Sequence, residues 1–298
     1  MEFINRTCVI HPTETHIVPI ISTPQRLQEY GVGIFEVAPT KSALKKAIKK
    51  NYVRVNGAIA TTATMIAGGE HISFYIPKDA KTKKRLHLPL KVLFEDDYIA
   101  AIHKPAGIGV SGNRFKTIAN ALPQNLKPSS LSDATIPQPV HRLDYATTGI
   151  VLVGKTSSSI RVLNKMFEDK TIVKTYYAVT IGEMENHGTI TSEIDGKPSE
   201  SDYQIMESVA SERFGTLNLV ELHPKTGRRH QLRKHLFGLG HPILGDKEYS
   251  KEELILKGKG LYLHAHSLEF EHPFTKKIIQ ITDELPEKFR MIFHDKLI

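Results

Sequence analysis

At 298 residues the chain is long enough for two domains or one large domain with an appendage, and 40% hydrophobic with 24% charged residues excludes a disordered polyelectrolyte. A single cysteine, Cys8, excludes an internal disulfide or a multi-thiolate metal site. No run approaches the roughly 20 apolar residues that span a bilayer, and no signal peptide is recognisable, so a cytoplasmic protein is expected. The formal net charge of +8 makes a polyanion the natural partner, because lysine and arginine displace counterions from a phosphate backbone.

Residues 1–25 lack periodicity and read as an N-terminal tail, or as a strand that packs on something else. From Thr40 the pattern sharpens. Ala43, Leu44, Ala47 and Ile48 share one helical face while Lys41, Lys45, Lys46, Lys49 and Lys50 take the rest, which predicts a short helix with a basic outside. Val53 and Val55 then alternate around Arg54 ahead of Asn56-Gly57, a dipeptide suited to the positive φ angles of a tight hairpin. A further alternation, Ile72, Phe74 and Ile76, follows Gly68-Gly69, and the charged stretch Lys78 to Arg85 reads as a linker within residues 78–90.

The wording KSALKKAIKKNYVRVNG, with AGGEHI later, resembles the small α-L RNA-binding module named after ribosomal protein S-four, over residues 26–77. The resemblance implies that Lys41, Lys45, Lys49 and Arg54 contact RNA phosphates. Lysines on a helix face are individually more often just solvated.

Beyond about Leu90 the chain turns to apolar strands broken by glycine and proline: VLFEDDYIAAIHKPAG, GIVLVGKT, KTYYAVTIG and TLNLVEL. A helix fits from Ser157 to Asp169, with Thr156 as N-cap and Ile160, Leu163, Met166 and Phe167 inward. Strands with few helices predict an α+β domain built on a large mixed sheet. In TGRRHQLRKHL, Thr226-Gly227 reads as a turn followed directly by a helix. Leu232, Leu236 and Leu239 would then face the core, and Arg229 and Arg233 would share one face.

Around Asp144 the sequence PVHRLDYATTGIVLVGKT runs a polar loop into a buried strand, a place where catalytic groups tend to sit. An aspartate in a loop is nevertheless most often a turn former or an ion-pair member. HRLD followed by a threonine-glycine turn closely matches the signature of the RluA-type RNA pseudouridine synthases. Further motifs follow in that family's order: HKPAGIGV at 103–110, KTYYAV at 174–179, TGRRHQLRKHLFGLGHPILGD at 226–246 and LHAHSLEFEHP at 263–273. The resemblance covers residues 91–298.

It implies an isomerisation of uridine in structured RNA, ribosomal RNA before tRNA, by a monomer without a cofactor. The fold would be that of the pseudouridine synthases, with a large mixed, mainly antiparallel sheet. Asp144 would act on the ribose as nucleophile or base, and a neighbouring fixed cation favours the ionised carboxylate such a role needs. Arg233 would be that cation, its planar fork gripping Asp144, and Tyr176, rather than Tyr177 on the other sheet face, would stack on the uracil and assist proton removal. Arg142 would open the target site. The basic run Arg228, Arg229 and His230 would face RNA, His141 and Leu143 would support the loop, and Leu263 or Leu268 would line the uracil pocket.

Other chemistries are weaker. GIGVSG at 107–112 lacks the spacing and strand-to-helix context of a dinucleotide fingerprint, and Ser111 lacks a hydrolase elbow. The pairs His264 with His266 and His230 with His235 lack the further ligands of a metal site. A glycosidase would pair two carboxylates, for which only Asp246 offers itself beside Asp144. A catalytically silent RNA-binding assembly protein remains the alternative from another class. Tyr145 and Ala146 depart from the family's usual charged residue after HRLD, and the first module lacks a clear arginine-leucine-aspartate opening before residue 40, which leaves the target RNA the least determined element.

Overall fold

The computed structural model describes residues 12–38, 41–75, 86–256 and 258–293. Cys8, Thr40, Ile76 and the stretch 78–85 lie outside them. The chain forms two compact units, residues 1–83 and 84–298. Among the described residues no helix is long and apolar enough to cross a membrane.

The first unit contains β1 (Glu14–Ile17), β2 (Gln25–Arg26), α1 (Leu27–Tyr30), α2 (Lys41–Lys49), β3 (Val53–Val55), β4 (Ala58–Ile59), β5 (Met65–Ile66) and β6 (His71–Phe74). Its sheet runs β1-β6-β3-β4, so within the stretch read as a tail or a packed strand, Glu14–Ile17 is a strand paired along β6. Helix α2 buries Leu44 and Ile48 against Leu27, Val53 and Phe74 and turns its lysines outward. Asn56 and Gly57 connect β3 to β4 at φ 50° and 82°, the left-handed pair that a two-residue hairpin needs.

The second unit adds β7 (Val92–Glu95), β8 (Ile99–Lys104), α3 (Ile118–Ala121), β9 (Ala134–Pro139), β10 (Thr148–Thr156), α4 (Ser157–Glu168), β11 (Val173–Ile181), β12 (His187–Ile194), β13 (Lys197–Ser211), β14 (Gly215–Pro224), α5 (Gln231–Gly238), β15 (Leu263–Glu271), β16 (Ile278–Thr282) and α6 (Glu287–Arg290). They build an α+β fold around a ten-stranded mixed sheet in the order β12-β13-β14-β11-β15-β10-β8-β7, with β16 on β15 and β9 on β10. All its pairings are antiparallel except β10 with β15.

Strand β10 is buried at all nine positions, which explains its unbroken apolar run. Val151 and Val153 pack with Ile118, Leu122 and Leu143 on one sheet face. Ile150 and Leu152 pack with Leu163 of α4 on the other. Helix α4 starts where expected, with a reciprocal capping box between Thr156 and Ser159. Strands β9, β12, β13 and β16 were not singled out in the sequence. The β12–β13 ribbon is half exposed, so it carries no apolar run, and its Asp195-Gly196 turn at φ 53° and 70° was its one legible signal.

Candidate active site

The loop between β9 and β10 carries Arg142 and Asp144, and buried contacts hold it from both sides. Leu143 inserts into the core, and the His141 ring stacks on Phe167 with centroids 4.6 Å apart. The Leu152 backbone N–H donates to His141 Nε2 at 2.9 Å. That nitrogen is therefore unprotonated, in keeping with a His141 pKa lowered to about 4 by burial and by the Lys174 charge. Under the loop lies Lys104, wholly buried, whose ammonium donates to the carbonyl oxygens of Thr147 at 2.7 Å, Pro105 at 2.9 Å and Tyr145 at 3.4 Å. Burial lowers its pKa to about 8 against the opposing pull of Asp144. The exit from the loop is fixed at Gly149, whose φ is +115° and where any Cβ would fall 2.2 Å from the Ala265 carbonyl oxygen. Only glycine permits this close pairing of β10 with β15.

Asp144 faces two cationic or potentially cationic groups at equal distance. Arg233 Nη1 lies 3.6 Å from Oδ2 and His230 Nε2 3.6 Å from Oδ1. The fork of Arg233, however, grips Asp246 and not Asp144: Nε donates to Oδ2 at 2.6 Å and Nη2 to Oδ1 at 2.8 Å. Nη2 also reaches Glu248 at 3.3 Å, and Tyr249 stacks on the guanidinium at 4.8 Å. Burial opposes the charge on Arg233, but hydrogen bonding and the charges of Asp246, Asp144 and Glu248 raise its pKa on balance. Asp246 is buried too. Arg233 and the backbone N–H groups of Tyr249 and Glu248 overcome the effect of burial and hold its carboxyl below the usual range. The expected two-pronged contact with Asp144 is thus corrected: Asp246 fixes the guanidinium and leaves Nη1 turned to Asp144.

Helix α5 begins at Gln231, later than the sequence suggested. Arg228, Arg229 and His230 form a turn ahead of it, with Gln231 N donating to Arg228 O at 3.2 Å and His230 in the left-handed region at φ 56°. The Gln231 side chain staples this turn: its Oε1 accepts from Arg228 N at 3.0 Å and its Nε2 donates to Glu200 O at 2.9 Å. Arg229 therefore shares no helix face with Arg233. Leu239, expected in the core, is exposed because the helix stops at Gly238 and the chain turns at Gly240, φ 89°.

A cavity of about 540 Å³ is lined by Arg142, Asp144, Tyr176, Arg228, Arg229, His230, Arg233 and Leu263, together with Lys170, Lys174 and Lys225. Tyr176 is partly buried, and desolvation with the nearby Asp144 charge raises its phenol pKa. Tyr177 turns away and donates its hydroxyl to Glu221. Leu268 is not in the cavity wall. It packs with Ile99, Leu152 and Phe270 in the core beside α4, so of the two leucines only Leu263 lines the cavity. Lys41, Lys45, Lys49 and Arg54 are exposed on the first unit, Lys41 paired with Glu29 at 2.7 Å.

The histidine pairs are occupied by hydrogen bonds. His264 Nδ1 meets Thr148 Oγ1 at 2.9 Å, His266 Nδ1 meets the Asp283 carbonyl at 2.7 Å, and His235 Nε2 meets Ser199 Oγ at 2.8 Å. Among the described residues no group of three His, Cys, Asp or Glu side chains is arranged to hold a metal ion. Lys104, Lys170, Lys174, Glu248 and Tyr249 carry no local sequence signal for the places they take at the site. Lys104 and Lys174 lay inside quoted motifs, and nothing local distinguishes a buried lysine from a solvated one.

Residues 98–237 match the family described as RNA pseudouridylate synthase. The ribosomal large subunit pseudouridine synthase D of Nitrosomonas europaea is 32% identical over 274 residues, covering 83% of this chain and 78% of its own. The ribosomal large subunit pseudouridine synthase C of Pasteurella multocida is 31% identical over 305 residues, covering 90% and 89%. Among solved structures, human RNA pseudouridylate synthase domain containing 4 is similar with a TM-score of 0.56 and 27% identity, over 68% of this chain and 92% of that one. The chain belongs to the RNA pseudouridylate synthase family. It is accordingly an RNA-modifying isomerase, of the kind that turns uridine into pseudouridine.

Proposed function

We propose that this enzyme acts on uridine in large-subunit ribosomal RNA, with Asp144 acting on the ribose, Tyr176 against the uracil and Arg233 balancing the Asp144 charge. The observation that carries the reading is that these three residues, far apart in sequence, line one cavity whose size suits an extruded nucleoside. The names of the bacterial relatives support ribosomal RNA ahead of tRNA as the substrate.

The reaction conserves atoms. The bond between uracil N1 and ribose C1′ breaks, the base turns, C5 bonds to C1′, and the proton lost from C5 is matched by one gained at N1. Nothing is transferred to a co-substrate, so the reading assigns no cofactor. Asp144 begins the sequence either by attack on C1′ or by removing a ribose proton, and it is regenerated either way. Tyr176, its phenol kept protonated by burial and by Asp144, is a poor proton acceptor but a good stacking surface for the base. His230 offers a second group beside the Asp144 carboxylate.

Arg142, Arg228 and Arg229 at the cavity would meet phosphates. Lys45, Lys49 and Arg54, with Lys41 partly committed to Glu29, would add RNA contacts from a first unit acting as a ribosomal-protein-S-four-like module. A glycosidase reading loses support because both Asp246 oxygens are occupied by Arg233 and backbone amides. The test is to map pseudouridines in total RNA from cells with and without the protein. Loss of one or more large-subunit ribosomal sites supports the reading, and an unchanged map overturns it.

A further inference from the structure

The segment 111–116, Ser-Gly-Asn-Arg-Phe-Lys, is exposed at every position, yet it is not a loose end. Gly109 and Thr117 pair as a bridge at its mouth, and Ile118 N and Ala119 N donate to Gly109 O and Val110 O, each at 2.9 Å. The Phe115 carbonyl is held by Thr117 N at 3.0 Å and by Asn120 Nδ2 at 2.8 Å. The backbone of Phe115 is therefore fixed while the residue remains 47% exposed, although Val110 and Ile118 nearby are buried in the core. Arg114 and Lys116 flank Phe115 in the chain, both exposed, and among the described residues neither forms an ion pair.

The loop is tied to the active site. Gly107 N donates at 2.9 Å to the carbonyl of Tyr145, the residue after Asp144, and Ile108 and Val110 share a core cluster with Leu143. An exposed aromatic side chain on a fixed backbone, with an exposed cation before and after it in the chain and anchored beside the candidate site, has the chemistry of a stacking platform with phosphate contacts. We propose that Phe115 stacks on an unpaired base flanking the target uridine while Arg114 and Lys116 meet the adjoining phosphates. This deepens the proposed function and rests on its RNA substrate.

The chain contains no tryptophan, so Phe115→Trp places the one tryptophan at the loop, where its emission can be excited selectively over that of tyrosine. In the full chain carrying Asp144→Asn to stop turnover, a ten-nucleotide oligouridylate should quench that emission as it saturates, and an abasic ribose-phosphate oligomer of the same length should not. Phe115→Ala should weaken oligouridylate binding about tenfold. Arg114→Gln with Lys116→Gln should reduce the slope of log affinity against log salt by about 0.7 for each phosphate contact removed. Unchanged emission with oligouridylate bound, equal quenching by the abasic oligomer, or unaltered affinity of the Phe115→Ala protein would each overturn the proposal. Pseudouridine formation by the parent enzyme on a large-subunit ribosomal RNA transcript is scored separately. An inactive parent with a quenched tryptophan counts against the substrate, and an active parent with an unquenched one counts against the loop.

Discussion

Asp246→Asn is the substitution that isolates how Arg233 is aimed. In the native site Asp246 Oδ1 accepts from Arg233 Nη2 and from the N–H groups of Glu248 and Tyr249, while Oδ2 accepts from Nε at 2.6 Å. An asparagine that keeps its oxygen at the first position sets its NH2 group against the Nε–H, so a strong bond becomes a donor facing a donor and the charge balance is lost. Breaking one partner of a buried ion pair costs about 3–5 kcal/mol. Glu248 at 3.3 Å and Asp144 at 3.6 Å stay beside the guanidinium and bring the expectation to about 3 kcal/mol. For a unit of this size that is a fall in Tm of roughly 6–12 °C. Once free of Asp246, Arg233 no longer holds Nη1 toward Asp144, so kcat, measured by single-turnover pseudouridine formation well below the new Tm, should drop by about tenfold or more. Glu248→Gln, on the exposed rim of the same network, should change stability by less than about 1 kcal/mol. An Asp246→Asn enzyme with the parent's Tm and kcat would refute the argument that Asp246 positions Arg233.

Gly149→Ala should destabilise the second unit by several kcal/mol, on the order of the largest single-residue effects, because its Cβ would strike the Ala265 backbone; a denaturant midpoint equal to the parent's would contradict this. Lys104→Met removes the donor shared by Pro105, Tyr145 and Thr147 and should cost about 1–3 kcal/mol, with kcat falling more than RNA affinity; a normal kcat would show that the clamp does not set the Asp144 loop. Stability should also fall on acidification. His141, at about 4 in the fold against about 6.5 unfolded, leaves the unfolded chain binding more protons between those values, so its contribution is present above pH 6.5 and is lost by pH 4, roughly 3 kcal/mol in all. His264, lowered to about 4 chiefly by burial, acts in the same direction. Urea unfolding across that range checks both, and His141→Gln should flatten the profile; an equally steep profile in that variant would contradict the assignment to His141.

The parts of this molecule that were legible in the sequence are those whose signal is local. The Asn56-Gly57 hairpin, the Thr156-capped helix and the fully buried β10 each follow from a few adjacent residues. The β12–β13 ribbon was not, because a half-exposed ribbon shows little apolar periodicity. At the site, the quoted motifs carried Asp144, Tyr176 and Arg233, and one cavity takes in all three. Their partnership is not legible there: a motif says which residues matter and not which carboxylate a guanidinium grips. Asp246 and Lys104 act from buried positions created only by the packing of β8, α5 and the Asp144 loop, and Leu268 left the expected pocket because its side chain packs beside α4.

The most direct test of the account is the Asp144→Asn enzyme assayed beside the parent on an unmodified large-subunit ribosomal RNA transcript, with pseudouridine read position by position and RNA affinity measured in parallel. The account predicts that the variant binds the transcript as the parent does and forms no pseudouridine. Modification by the variant at the parent's rate would contradict it.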